Sequence, residues 1–230
     1  MNGDWFNAGE LRLTNTVLNL DGTFGLGDLG AITRVGGTVR VTGLLQGAGG
    51  TLSLDDTTGS WTMNGGTLRQ VTVNLNGNAQ LIGSSGTLDA VTLNGGLDLQ
   101  SGTLNVTNGL VLNGEARLGN PSNGAAGNLA FLGSQALSGS GSVRFGLSGC
   151  NALRVLLGGT TLTNRVLIHG NNGQLGYVPG CFGGPVNVSL VNQGTISADV
   201  NGGTITIRAQ PFINSGTTNA LNGGTLLIIP

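Results

Sequence analysis

Few residues of this chain could do chemistry. Ten Asp and Glu, nine Arg, no Lys and one His are spread over 230 residues. A polysaccharide lyase or hydrolase would need carboxylates, alone or with Arg, converging on one face. Asp55 and Asp56 are the only adjacent acidic pair, and neighbours on a strand point to opposite faces. Asp89 and Asp98 fall at different phases of the repeat described below, and Asp21 and Asp28 read as turn caps. GLGDLG (25–30) is a faint match to calcium-binding nonapeptides, but one imperfect copy supplies too few oxygens. His169 has no Cys or carboxylate close in sequence with which to hold a metal, and reads as an ordinary strand-edge residue. No Gly-Lys follows any of the GxG patterns, so a phosphate-binding loop is excluded. We therefore expect no catalytic set, no metal and no cofactor.

Two cysteines, Cys150 and Cys181, leave two readings open: a disulfide, or two buried thiols behaving as small apolar groups. Cys181 lies in HGNNGQLGYVPGCFGGP (169–185), which also holds His169, the only Tyr (Tyr177) and Phe182. Tyr177 and Phe182 could stack on a sugar, with His169 beside them. The plainer alternative is a loop folded back over the body of the protein. NPSNGAAGN (120–128) reads as a second inserted loop.

The charge pattern narrows the partner classes. Net charge is −1 and the nine Arg are scattered, so nucleic-acid binding is not expected. No apolar run approaches the roughly 18 residues that would suggest a membrane span. MNGDWFNAGE lacks the basic start and apolar core of a signal peptide. The closing LLIIP reads as part of a strand, so 1–230 is expected to be a single domain excerpted from a longer repeat protein. Exposed end strands would then permit end-to-end self-association.

The elements that would position these residues are set by a repeat. VNQGTISADVNGGTITI (191–207) is written again as INSGTTNALNGGTLLI (213–228), and GTLRQVTVN (66–74) as GTLDAVTLN (86–94). Leu110, Leu112, Asn113 and Gly114 echo Val91, Leu93, Asn94 and Gly95. The period is about 20–22 residues, with drift and insertions. With 45 Gly and no apolar stretch at helical spacing, helices are excluded. Apolar residues alternate instead, as in Leu97 and Leu99, Leu104 and Val106, and Ile205 and Ile207, which predicts half-buried strands. NG, SG and DG pairs mark corners that need positive φ. Three short strands and three corners make one turn of an all-β, right-handed parallel β-helix. A fixed period favours this solenoid over an antiparallel sandwich. Ten or eleven turns would give a rod on the order of 50 Å long. Equivalent side chains should then stack: Asn74, Asn94 and Asn113 as an asparagine ladder, Asn192 with Asn214, and Asn201 with Asn222. Thr204-x-Thr206 is not matched by Thr225-Leu226-Leu227, so the flat Thr array of an ice-binding surface is not expected.

The phrases GTLxxVTLNG, NQGTISADxNGGTITI and LNGGTLLI resemble the Gly/Asn/Thr-rich repeats of large bacterial secreted proteins, the autotransporter passengers and filamentous-haemagglutinin-like adhesins. The resemblance covers most of 36–118 and 186–228. It implies an exported, cell-surface rod that serves as a stalk or adhesin and meets a glycan or host surface. The family has no fixed catalytic set to carry onto these positions. A carbohydrate-binding or carbohydrate-active β-helix is the alternative reading.

Overall fold

A computed structural model describes residues 3–229. The chain coils through about ten turns of a parallel β-solenoid. The first sheet begins at Val17–Leu20 and Thr38–Val41 and ends at Leu167–Gly170, Thr195–Ala198 and Thr217–Ala220. The second runs from Thr23–Gly25 to Gly173–Gly176, Thr204–Arg208 and Thr225–Ile229. The third runs from Thr51–Leu54 through Gln135–Ser138 and Thr161–Asn164 to Phe212–Asn214. Glu10–Thr14 and Ala31–Val35 pair with each other as a small separate parallel sheet.

The alternation in sequence is what builds the core. Val39, Trp61, Leu81, Leu97, Ala116, Val143, Ile168 and Ile196 follow one another in register down the inner face of the first sheet. All eight are buried, and inward residues of the other sheets join them in one apolar cluster. The side chains between them, such as Arg117 and Arg144, stand on the outer surface because successive residues of a strand face opposite ways.

The expected pairing of the two C-terminal copies is present. Ile205 lies opposite Leu226, and Ile207 opposite Ile228. The expected drift in period is present too, and it is wide. The step from Val39 to Trp61 is 22 residues, but Leu81 to Leu97 is 16, Ala116 to Val143 is 27 and Ile168 to Ile196 is 28. Register is fixed by ladder bonds and inward side chains, so corners take up extra residues without disturbing the stack. Both loop boundaries shift accordingly. The first insertion is 119–126, since Gly127–Phe131 is already a strand. The second is 177–188, because Leu167–Gly170 and Gly173–Gly176 are regular strands of the ladder.

One corner departs from the glycine rule. Between the second and third sheets, Gln70, Ala90 and Asn108 take φ values of 49°, 52° and 56°. Each follows a residue of one row, Arg69, Asp89 and Thr107. A single left-handed residue thus turns the corner at Gln70 and Ala90, without Gly or Asn, while Asn108 is joined by Gly109 at a φ of 88°.

Candidate functional site

Two rows of asparagines come first, one facing outward and one largely buried. Asn94 Nδ2 donates to Asn74 Oδ1 at 2.7 Å, and Asn113 Nδ2 to Asn94 Oδ1 at 2.8 Å. A second row joins Asn164 to Asn192 and Asn192 to Asn214, both at 2.8 Å. Asn164 and Asn192 are wholly buried. Asn164 escaped the sequence reading because 28 residues separate it from Asn192, well outside the apparent period. Asn201 and Asn222 are not joined by a side-chain bond, contrary to expectation. Asn201 Oδ1 lies over the backbone of Gly223, while Asn222 Nδ2 reaches the Asp199 carbonyl at 3.4 Å.

The 177–188 segment laps over the outside of the second sheet. Cys150 and Cys181 are joined by a disulfide, with Cα atoms 5.8 Å apart. Gln174 Nε2 donates to the Gly149 carbonyl at 2.7 Å beneath it. The Phe182 ring sits 4.5 Å from the guanidinium carbon of Arg154, a cation–π contact. Burial there pushes the Arg154 guanidinium below its ordinary value. Tyr177 is partly buried against the core, and its N–H donates to the Arg208 carbonyl. Its side chain packs against the core cluster. His169 does not join this set. It stands in the middle of a first-sheet strand, in register with Arg144 and Ser197, with Nδ1 3.1 Å from Asp199 Oδ2.

The acidic groups are mostly engaged in turns and pairs. Asp28 Oδ2 accepts from the Gly25 N–H, and Asp55 Oδ1 from the Thr57 and Thr58 N–H groups. Those two bonds to Asp55, the one from Thr58 foremost, hold its carboxyl below the usual range. Burial opposes ionisation of Asp89, but bonds from Asn108, Arg69 and Thr107 outweigh it and lower its pKa. Among the described residues, no group of three or more His, Cys, Asp or Glu is placed to hold a metal ion.

One concave site emerges that the sequence reading missed. Asp98, Arg117, Arg144 and His169 follow one another along the outer face of the first sheet. Beside the two arginines the 119–126 loop rises from the surface. Gln100, Arg117, Gly119, Pro121, Arg144 and Gly146 line a cavity of about 310 Å³ there. The loop is held by its own bonds: Asn120 Oδ1 accepts from the Ser122 and Asn123 N–H groups, and Asn120 Nδ2 donates to Gln100 Oε1 at 2.6 Å. Gln100 Nε2 in turn donates to Asp98 Oδ2 at 3.0 Å. Arg117 Nε is bonded to Glu115 at 2.6 Å, which raises the Arg117 pKa further. The only signal for this site in sequence is that ARL (116–118) and VRF (143–145) share a phase, 27 residues apart. No known family, curated protein or solved structure was found to match the chain.

Proposed function

We propose that the chain is a non-enzymatic structural rod or adhesin segment of a secreted or cell-surface bacterial protein. The observation that carries this reading is the uninterrupted stack of three parallel sheets around one apolar core. Such a stack transmits load along its axis and holds whatever its corners display at fixed positions. Two further features support it. A disulfide persists in oxidising compartments outside the cytoplasm. The bonded rows 74–94–113 and 164–192–214 are read as asparagine ladders that satisfy corner amides from turn to turn.

Carbohydrate recognition is the second reading, favoured by the cavity where Arg117 and Arg144 meet the 119–126 loop. Its carboxylate neighbours are each bonded, Glu115 to Arg117 and Asp98 through Oδ2 to Gln100, which favours binding over turnover. The test is a panel of polyuronates and neutral polysaccharides incubated with the chain, together with retention of chain-coated beads on glycan- or cell-coated surfaces under flow. Retention without product is the expected result. Release of new reducing ends or unsaturated sugars from any polymer would overturn the non-enzymatic reading.

A further inference from the structure

We infer that the cavity between the 119–126 loop and the first sheet is a binding subsite for the anionic group of an acidic saccharide. This deepens the adhesin reading by naming a ligand class, and rests on it only for biological purpose.

Donor supply comes first. Among the described residues, the Arg144 side chain makes no hydrogen bond and no ion pair, although its neighbour Arg117 is paired. Arg117 uses only Nε for Glu115, so its terminal Nη groups stay available to a ligand. Arg117 and Arg144 are register partners on adjacent strands, a spacing of about 4.8 Å. Two planar guanidinium forks that close can bind one carboxylate or sulfate between them through charge-assisted bonds.

Shape and rigidity come next. Pro121, Gly119 and Gly146 line the cavity beside the two arginines. A side chain at either glycine would collide with backbone or side-chain atoms nearby, Asn151 for Gly119 and the Asn120 carbonyl for Gly146. The loop is fixed on both sides. Asn120 N–H donates to the Ala125 carbonyl at 3.1 Å, and Leu147 N–H to the Asn120 carbonyl at 3.0 Å. Gln100, bonded to Asn120 and Asp98, adds an oriented side-chain amide at the rim. A cavity of about 310 Å³ is at the lower end of small-molecule sites, matching one or two sugar rings rather than a long chain. The local charge also explains selectivity. Asp98 and Glu115 offset part of the positive charge, so a bare field is weak, and recognition depends on the fork of Arg144 meeting an anion at short range.

Calorimetric titration of the intact chain tests this with three probes: an oligogalacturonate, a sulfated oligosaccharide and a neutral malto-oligosaccharide of similar length. The charged probes should bind saturably and weaken as salt rises, and the neutral one should not bind. Whether carboxylate or sulfate binds more tightly identifies the source of the anion. Arg144→Ala should weaken the charged probe by about tenfold or more without moving the melting temperature. Arg144→Lys should recover part of the loss, since it restores charge without the fork. Arg40→Ala, on the same outer row but far along the rod, should leave affinity unchanged. Absence of saturable binding by either charged probe overturns the proposal, as does an equal loss in Arg40→Ala, which would mean a diffuse charge effect. Retention on cell surfaces without binding of charged oligosaccharides would remove this subsite and leave the adhesin reading standing.

Discussion

Two asparagines that look alike in sequence differ sharply in the fold. Asn192 is wholly buried, accepts from Asn164, and donates to Asn214 and to the Thr217 carbonyl. Asn201 lies at an exposed corner and bonds no equivalent side chain. Asn192→Ala should therefore cost about 1–3 kcal/mol, because it strands the buried amide of Asn164 and removes the bonds Asn192 itself makes. Asn201→Ala should stay within about 0.5 kcal/mol. Thermal or denaturant unfolding of the two variants measures the contrast, and equal losses would contradict it. Asp89 carries the clearest pH dependence. Its folded pKa is lowered, so its contribution is complete above the unfolded carboxylate value of about 4 and is lost as pH falls through the lower folded value. Its partner Arg69 is nearly half exposed, so solvent screens the pair and the contribution is about 1 kcal/mol. Asp89→Asn should lower stability at pH 7, and the difference should shrink towards zero as pH falls below the unfolded carboxylate value and through the lower folded one. A constant gap across that range would refute the assignment.

At the scale of elements, strands were easy to read and corners were not. Alternation such as Leu97 and Leu99, or Ile205 and Ile207, marks an inward row directly, since the period of two is intrinsic to a strand. The copies 66–74 and 86–94 fall in register because the turns joining them hold no insertion. Asn164, Arg117 and Arg144 were hidden for the opposite reason. Insertions of several residues break the apparent period while leaving the ladder intact, so their alignment appears only in three dimensions. The lap at 177–188 was legible as an irregularity but not as a tether, because two cysteines 31 residues apart do not declare their pairing. With both cysteines changed to Ser, this segment should become the first site of limited proteolysis. The tether model also predicts a loss of about 3–4 kcal/mol from loop-closure entropy. Identical cleavage patterns in variant and parent would show that Phe182 on Arg154 and the turn bonds suffice to hold the lap.

The whole molecule behaves as a stack of nearly independent turns, each touching only its neighbours. Stretching it from its two ends should peel it one turn at a time. With turns of 16 to 28 residues, the chain released per event is about 50–95 Å once the Cys150–Cys181 disulfide is reduced, and less across the bridged turns while it is intact. Single-molecule force records should show such a ladder of steps, and one all-or-none release would count against neighbour-only coupling. The unequal turns carry one more consequence. The number of residues spent on a turn varies, but the advance along the axis is the strand spacing of about 4.8 Å every time. The coil is therefore a ruler whose divisions do not depend on how much is written between them. A group placed on any corner gains a known coordinate along the axis, as Arg117 and Arg144 do despite the 27 residues between them. An outer face assembled this way can be matched to a partner that is itself periodic by changing which turns carry the contact, with no change to the core.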